Sequence, residues 1–338
     1  MGKSLAAAIA KIICKHLTPA GRAKVVRDSF SMSDLYMNLP KHQLIDLIFG
    51  AAANRTNAAS LVLAGDQGII EGSPKDRVIF YTYAQTGSWS SSFQSELIDR
   101  FFIHGKGTFL DIGANIGLTA IPAAIRHGIQ CFAFEPDPVN FQLLKRNIER
   151  NKVADRITIF NVALHDTQGV LDFELSENNW GDHRLRIPGQ MASVTPSFNE
   201  TERHVVNVQA IPLDMTLDSR ELIRPIFLKI DTQGAEVTVL RGARETLKSV
   251  DLLVVEFSPY HLGRMGADVA DFIKEIEGWP YGMILSFDST TVAGAAYIGQ
   301  FLPIEKVTEI LYSLAKSQSP DNYVDVVLSR QPNICPDI

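Results

Sequence analysis

The chain has 338 residues, of which 46% are hydrophobic and 21% are charged, and its formal net charge is −6. This length and composition predict one large globular domain with a smaller extension, and the lack of low-complexity tracts and fixed-period repeats excludes fibrous, disordered and solenoid proteins. The acidic charge removes the electrostatic basis for nucleic-acid binding, so we expect a small-molecule partner and no nucleic acid.

The cysteines and the N-terminal stretch bear on the compartment. Cys14, Cys131 and Cys335 lie far apart and form no metal-binding motif, so we expect no metal ion and a cytoplasmic protein with reduced thiols. Near the N-terminus, apolar residues recur at helical spacing, at Leu5, Ile9, Ile12, Ile13 and Leu17. This pattern predicts an amphipathic helix that packs on the protein's own body or forms a homo-oligomer contact, and no apolar run is long enough for an integral membrane segment.

Three elements are predicted before residue 105: a helix at 41–53, a hairpin at 67–83 with its turn at 72–74, and a helix at 93–104. The hairpin and the second helix lead into an alternating pattern of strands and helices. We therefore divide the chain into a helical N-terminal extension, 1–66, and a main domain, 67–338.

From residue 105 onward, short apolar strands alternate with amphipathic helices. The predicted strands are 107–112, 130–135, 156–162, 226–230, 251–256, 281–287 and 323–329, and the predicted helices are 116–126, 137–151, 235–248, 267–277 and 304–316. This alternation predicts a doubly wound, mostly parallel α/β sheet of seven strands with helices on both faces. Ligands of such sheets bind beyond the carboxyl ends of the strands, so functional residues are expected there.

The first of these strands runs into a glycine-rich loop, GTFLDIGANIGLTAI at 107–121. Asp111 ends the strand, and Gly113 and Gly117 let the backbone turn tightly and approach a ligand. The helix that follows begins with backbone N–H groups that favour an anion. A tight turn without any ligand would also explain the loop by itself.

Glu135 ends the second strand, about twenty residues after the loop, where an acid can accept both hydroxyl hydrogens of a ribose. A nicotinamide dinucleotide fold places an acid at the same point. Its fingerprint is G-x-G-x-x-G, whereas Gly113, Asn115 and Gly117 give D-x-G-x-N-x-G here. This spacing is similar to the first motif of class I methyltransferases, which bind S-adenosyl-L-methionine (SAM), and it disfavours an oxidoreductase.

Four motifs together resemble the FkbM-type SAM-dependent methyltransferase family: LDIGANIGLTA at 110–120, FAFEPDPVNFQLLKRNIERN at 132–151, IFNVALHDTQG at 159–169 and FLKIDTQGAEVTVLRGA at 227–243. The resemblance covers about residues 75–290. It implies a Rossmann-like class I fold with SAM as cofactor. It further implies that Asp111, Gly113, Asn115 and Gly117 form the cofactor loop, that Glu135 binds the ribose, and that Asn161, Val162 and Ala163 line the adenine.

Methyl transfer needs alignment and, for a hydroxyl acceptor, a base. Asp231 follows the fourth strand and is a candidate base, although Asp231-Thr232 could equally cap the next helix. His165 and His261 are further candidates, since histidine accepts protons near neutral pH. Glu236 could cap the helix or line the site.

Two features concern the acceptor and the activity. The polar insertion 176–204, which contains Trp180, His183, Arg184 and Arg186, is expected to be a surface loop that contacts the acceptor. Gln233 stands where family members commonly have Glu, so one possible base is missing. The resemblance and the candidate bases lead us to expect an O-methyltransferase acting on a sugar, glycolipid or secondary metabolite, whereas the missing Glu at position 233 motivates one alternative. The alternative is a catalytically silent SAM-fold binding or assembly module.

Overall fold

The computed structural model describes residues 40–55, 60–89, 92–186, 203–285, 300–316, 323–332 and 334. The predicted N-terminal amphipathic helix, Cys14 and Cys335 lie outside the described residues, and so does the insertion from residue 187 to residue 202. None of the helices within the described ranges combines the length and the apolar character that crossing a bilayer requires.

A hairpin and three helices precede the main sheet: α1 (Lys41–Arg55), β1 (Leu61–Gly65), β2 (Gly68–Gly72), α2 (Ile79–Thr86) and α3 (Ser92–Phe101). Helices α1 and α3 lie where the sequence predicts them. The hairpin packs on a helix of the main domain, since the backbone N–H of Glu71 donates to Asn147 Oδ1 at 2.6 Å. The lead-in segment is therefore part of the same packed body as the main sheet.

The predicted hairpin over 67–83 is wrong. Strands β1 and β2 pair with each other from Leu61 to Gly72, and the segment that follows is the helix α2. The helix begins because the carboxylate of Asp76 accepts the backbone N–H groups of Ile79 at 3.1 Å and Phe80 at 2.9 Å. The β-branched and aromatic residues there favour a strand only in the absence of such a cap. The division at 66/67 consequently falls inside a hairpin.

The main domain contains, in chain order, β3 (Thr108–Ile112), α4 (Ala120–His127), β4 (Gln130–Phe134), α5 (Pro138–Arg150), β5 (Ile157–Phe160), β6 (Ala163–Leu164), β7 (Gly169–Leu175), β8 (Arg184–Leu185), β9 (His204–Ile211), α6 (Leu213–Thr216), β10 (Ile226–Ile230), α7 (Glu236–Arg241), α8 (Arg244–Leu247), β11 (Leu252–Phe257), α9 (Pro259–Arg264), α10 (Val269–Ile276), β12 (Tyr281–Leu285), β13 (Leu302–Pro303), α11 (Ile304–Leu314) and β14 (Val324–Ser329). Single 3₁₀ turns lie at Trp180–Asp182 and Ser219–Glu221.

The central sheet has the strand order β13-β12-β14-β11-β10-β3-β4-β5. Strands β5, β4, β3, β10 and β11 pair in parallel, and β14 is antiparallel to both of its neighbours. The predicted doubly wound, mostly parallel α/β fold is confirmed. Among the described residues the sheet has eight strands, because the two-residue strand β13 adds an edge to the seven predicted ones.

The two faces of the sheet bury separate apolar cores. Side chains of neighbouring residues point to opposite faces, so Phe109, Phe227 and Val254 share the face covered by α4, α5 and the lead-in helices. Leu110 and Leu228 belong to the opposite core. By the same alternation, Asp111 and Lys229, two positions after Phe109 and Phe227, lie on the face covered by α4, α5 and the lead-in helices. Both are at the carboxyl edge of the sheet.

A second sheet of four strands, in the order β6-β9-β7-β8, was not predicted. It includes the first residues of the insertion 176–204, which we expected to be a surface loop. That interpretation is wrong for the described part, because Arg184 has 0% exposure and its guanidinium pairs with Glu174 at 2.7 Å and Asp182 at 3.0 Å. Paired charges allow this polar segment to be buried.

The helix predicted at 235–248 is interrupted after Arg241 and forms α7 and α8. At Gly242 the chain passes against the backbone of the second sheet, where a Cβ would lie 2.2 Å from the carbonyl oxygen of His165. Helix α4 likewise begins at Ala120, later than the predicted residue 116, because the glycine loop occupies the residues before it. Both differences arise where close backbone contacts replace regular helix.

Candidate functional site

A cavity of about 670 Å³ opens at the carboxyl edge of the central sheet, where the sequence predicts the ligand. Its walls come from the loop after β3, the ends of β4, β10 and β11, the start of β14, the 3₁₀ turn at Trp180–Asp182 and helix α2. Residues from both halves of the domain and from the lead-in segment therefore enclose one space.

The glycine loop forms one wall of the cavity. Its backbone is left-handed at Gly113 (φ 80°), Asn115 (φ 50°) and Gly117 (φ 94°). The backbone N–H of Asn115 donates to Glu135 Oε2 at 2.8 Å, and its side-chain Nδ2 donates to the carbonyl of Trp180 at 2.9 Å. The loop is thus held between the end of β4 and the 3₁₀ turn.

Glu135 lies beside this loop with 4% exposure and lines the cavity. Its second oxygen accepts the backbone N–H of Asp137 at 2.9 Å. Burial raises the pKa of Glu135 to about 8, with a smaller contribution from the negative charge of Asp137. Each carboxylate oxygen retains a further lone pair for a hydroxyl hydrogen.

An apolar wall follows along the ends of β4 and β5. Val162 and Ala163 line the cavity beside Phe134, whose ring stacks on Phe160 at 4.8 Å. Asn161 is not part of the cavity lining among the described residues. Its Nδ2 donates to the carbonyls of residues 135 and 136 at 2.8 and 3.0 Å, so it ties the two strand ends together.

Gly117 and Asp111 lie behind the cavity wall. A Cβ at Gly117 would lie 2.7 Å from Ile121 and from Leu144, so this glycine permits the loop to pack on α4 and α5. Asp111 is fully buried, with one oxygen 3.7 Å from Lys229 Nζ. Burial raises the pKa of Asp111. Both residues support the lining.

The opposite end of the cavity carries charged side chains. Lys229 Nζ lies 3.2 Å from Asp231 Oδ2. The side-chain amide of Gln233 donates from Nε2 to Asp231 Oδ1 at 3.0 Å and to Glu256 Oε2 at 3.0 Å. Asp325, which is the register partner of Glu256 on the neighbouring strand, also lines the cavity. Carboxylates therefore outnumber the one lysine among these described groups.

Burial and the mutual repulsion of these carboxylates both favour their protonated forms. Burial and then the charge of Asp231 raise the pKa of Glu256 well above its ordinary value and raise the pKa of Asp325 to about 7. Burial disfavours the cation of Lys229, but the charges of Asp231 and Asp111 outweigh it and raise its pKa. This end of the cavity favours a cationic or proton-donating ligand.

The structure brings His261 to the cavity but not His165. His261 lines the cavity, and its Nε2 lies 3.4 Å from the guanidinium of Arg184. Burial and then the charge of Arg184 lower the pKa of His261 to about 3. His165 lies outside the described lining, with Nδ1 3.0 Å from Thr167 Oγ1 and 3.0 Å from Asp166 Oδ1, and burial lowers its pKa.

The turn after β10 is held by Glu236 and not capped by Asp231. Glu236 has 1% exposure, and its carboxylate accepts the backbone N–H groups of Thr232 and Gly234 at 2.9 Å each. Helix α7 begins after Ala235 without a side-chain cap. The carboxylate of Asp231 is therefore turned to the cavity and is not used by the helix.

Lys229 and Asp325 line the cavity and were not predicted from the sequence. Each is a charged residue inside an otherwise apolar strand, IFLKI and VDVVLS, and a buried charge requires a partner at the same depth. That signal was available. Asp325 lies near the start of its strand, which reaches the carboxyl edge because β14 is antiparallel to β11. Among the described residues, no group of three or more His, Cys, Asp or Glu side chains could hold a metal ion.

The lining fits SAM, the cofactor that the sequence resemblance implies. The carboxylate of Glu135 can accept ribose hydroxyl hydrogens, and the wall at Val162 and Ala163 suits a flat neutral ring. The cavity can therefore hold the cofactor at one end and present carboxylates at the other.

Known proteins resemble the chain over the same region. Residues 111–281 match the family model for the methyltransferase FkbM domain. The hexuronic acid methyltransferase AglP of Haloferax volcanii is 28% identical over 168 residues, which cover 49% of this chain and 60% of that protein. The 2-O-methyltransferase NoeI of Sinorhizobium fredii is 30% identical over 165 residues, which cover 45% of this chain and 64% of that protein.

The crystal structure of methyltransferase FkbM from Methylobacillus flagellatus KT aligns with a TM-score of 0.35 and 15% identity, covering 90% of this chain and 60% of that chain. The chain thus spans less than two thirds of the length of these relatives, namely 60% of AglP and 64% of NoeI.

Proposed function

The chain belongs to the FkbM family of methyltransferases, and we propose that it transfers a methyl group from SAM to a hydroxyl oxygen of a sugar, glycolipid or secondary metabolite. The names of two relatives, a hexuronic acid methyltransferase and a 2-O-methyltransferase, support a carbohydrate hydroxyl as the acceptor. The family match and the fit of the cavity lining support SAM as the cofactor.

Residues of the first half of the domain bind the cofactor in this proposal. The left-handed loop at Gly113 and Asn115 brings backbone to the cavity, Glu135 accepts the ribose hydroxyl hydrogens, and Val162 and Ala163 contact the adenine. Since ribose hydroxyls donate to the ionised carboxylate, we expect binding to lower the pKa of Glu135 and to release protons near pH 8.

Asp231 carries the catalytic part of the proposal. SAM, when bound, supplies a methyl group that is already strongly electrophilic. Asp231 is half-buried in the cavity, with one oxygen held by Lys229 and the other by Gln233. We infer that this oriented carboxylate would accept the proton of the acceptor hydroxyl, whose oxygen would then form a bond to the methyl carbon that bound SAM supplies. The bond between that carbon and the sulfur would break, and S-adenosyl-L-homocysteine would be the leaving group. His261 is the second candidate, because its neutral ring also lines the cavity.

Two experiments test the function. Calorimetry with SAM should show binding in the micromolar range, and transfer of a tritiated methyl group should then be assayed over hexuronic acids, neutral sugars and polyketide alcohols. Binding together with turnover of at least one hydroxyl acceptor is the expected result. Absence of SAM binding at millimolar concentration would overturn the proposal.

Replacing the proposed base should affect chemistry and not cofactor affinity. We expect Asp231→Asn to lower kcat about 10²- to 10⁴-fold, because general-base catalysis contributes that much. Its SAM dissociation constant should stay within about threefold, since binding groups elsewhere in the cavity are intact. Asp155→Asn is the matched control, as the side chain of Asp155 is 73% exposed. Equal kcat values for both variants would exclude Asp231 as the base.

The alternative is a catalytically silent SAM-fold binding or assembly module. Such a module would bind SAM and would methylate none of the acceptors tested, whether as the wild-type protein or as the Asp231→Asn or Asp155→Asn variant. The presence of the oriented Asp231 carboxylate favours the enzyme. The predicted subunit contact through the N-terminal helices stays a prediction. Light scattering of the full chain and of a chain beginning at residue 40, which keeps α1 and its buried Phe49, would test it.

A further inference from the structure

We propose that Gln233 is a positioning residue that holds Asp231 and Glu256 as an oriented pair of carboxylates at the acceptor end of the cavity. The inference rests on the proposed function, because it assigns a role within that site.

The backbone of the turn fixes the direction of the Gln233 side chain. Gln233 itself is left-handed (φ 56°), and Gly234 follows with φ 115°. A Cβ at Gly234 would lie 2.6 Å from the carbonyl oxygen of His261, so helix α9 packs directly on the turn. Glu236 holds the N–H groups of the turn from the other side. The turn is therefore enclosed, and Gln233 leaves it toward the cavity.

The amide of Gln233 matches what the two carboxylates require. A side-chain amide nitrogen has two hydrogens, and Nε2 lies 3.0 Å from Asp231 Oδ1 and 3.0 Å from Glu256 Oε2. The other oxygen of Asp231, Oδ2, accepts a hydrogen bond from Lys229 Nζ at 3.2 Å. Both oxygens of Asp231 thus have donors, and its orientation toward the cavity is fixed.

The Gln233 side chain is neutral, and this distinguishes it from a lysine or a glutamate at the same position. A second lysine would add a positive charge beside the cationic sulfonium of the proposed cofactor. A glutamate would place a third carboxyl group within hydrogen-bonding distance of two others, where a shared proton would be needed to hold it. Glutamine supplies two hydrogen-bond donors without either cost, so it orients the two carboxyl groups without adding a charge.

Charged and titratable groups face this pair from every element around it. They are Asp111 on β3, Lys229 on β10, Glu236 on α7, His261 on α9 and Asp325 on β14. Burial and the charge of Asp231 raise the pKa of Glu256 well above its ordinary value, so the titration of Glu256 reports on the bridge. Removing a hydrogen-bond donor to the ionised form of Glu256 should raise the pKa of Glu256 further.

The test compares Gln233→Met, which keeps the length and removes the donors, with Gln233→Glu. Carboxyl ¹³C resonances of labelled protein are followed against pH, and Glu256→Gln assigns the Glu256 signal. We expect the titration midpoint of Glu256 to rise by about one pH unit in Gln233→Met and by more in Gln233→Glu. Gln130→Met at the amino end of β4 is the control and should leave it unchanged. If Gln233→Met does not fold, Gln233→Glu decides alone.

An unchanged midpoint in the folded Gln233 variants would overturn the inference. Calorimetry with SAM on the same proteins keeps it separate from the proposed function, because that function fails if the wild-type protein binds no SAM, whatever the titration shows. With an acceptor in hand, the acidic limb of the kcat profile should move to higher pH in both variants, while SAM affinity stays within about threefold.

Discussion

At Gly113 the loop after β3 passes so close to the turn after β10 that a Cβ would lie 1.9 Å from the carbonyl oxygen of Asp231. Its φ of 80° adds a conformational demand that side chains rarely meet. This close approach brings the glycine loop against Asp231, the residue that carries the proposed base. The absence of a side chain at Gly113 therefore allows the glycine loop and the turn after β10 to lie this close together.

We expect Gly113→Ala to destabilise the fold by about 3 kcal/mol or more, since left-handed strain and steric overlap add. SAM binding should fall at least tenfold because the loop is displaced. Gly87→Ala is the matched control, as Gly87 has φ 78° but open space around its Cα. It should cost only about 1–2 kcal/mol. Urea unfolding and calorimetry measure both, and equal losses of stability would contradict the steric explanation.

At this scale the sequence indicates residues that directly follow an apolar strand more readily than charged residues that lie inside one. Spacing alone located Gly113, Glu135 and Asp231, because each follows directly after an apolar strand. Lys229 and Asp325 lie inside their strands, where no such spacing marks them. Their importance depends on register, which pairs Lys229 with Asp111 and Asp325 with Glu256, and one sequence does not specify register.

At the scale of elements, the lead-in hairpin is attached to α5 through one buried amide. Asn147 is fully buried, and its Nδ2 donates to the carbonyls of Glu71 at 3.0 Å and Ile116 at 2.9 Å. Its Oδ1 accepts the N–H of Glu71. Asn147 therefore connects the hairpin, the helix and the cofactor loop.

We expect Asn147→Leu to lower the free energy of unfolding by about 3 kcal/mol, because three backbone groups lose their buried partner. SAM affinity should fall as well, since Ile116 belongs to the cofactor loop. Asn151→Leu is the control, because Asn151 also bonds the hairpin, through Ile69, but its contacts are exposed to water. Urea titration should show a clearly smaller loss for that variant, and a similar loss would argue against the role of burial.

The sequence located the elements of the central sheet to within a few residues, because buried parallel strands are continuously apolar. It did not predict the second sheet. Strands β7 and β9 have mixed exposure, and they pair over a gap of about thirty residues, which no local pattern records. The helix α2 was mistaken for a strand because its start depends on Asp76, a residue outside the helix.

At the scale of the whole molecule, buried ionisable groups make the free energy of unfolding depend on pH. Buried carboxyl groups and buried histidines act in opposite directions. The pKa values of Glu135, about 8, and Asp325, about 7, are raised by burial, so the native state holds their protons after the unfolded state has lost them. Burial lowers the pKa of His183 and His261 to about 3, so the unfolded state binds their protons first on acidification.

These two contributions occupy different pH windows. The histidine contribution favours the native state increasingly as pH rises from about 3 to about 6.5, where unfolded histidine loses its proton. The carboxyl contribution favours the native state below the unfolded pKa near 4 and is lost as pH rises toward 7–8. Above pH 6.5 the histidine contribution no longer changes, and the carboxyl contribution continues to decrease.

We therefore expect the free energy of unfolding to fall between pH 6.5 and 8.5, with a slope of up to about 1.4 kcal/mol per pH unit for each retained proton. The double variant Glu135→Gln with Asp325→Asn should show a flatter slope, because neutral amides do not titrate. Asp155→Asn, whose side chain is exposed, should keep the wild-type slope. Urea unfolding at pH 6.5, 7.5 and 8.5 measures all three proteins. A wild-type slope that is flat or positive would show that burial does not hold these carboxyl groups protonated, and the cavity would then carry its full negative charge at neutral pH.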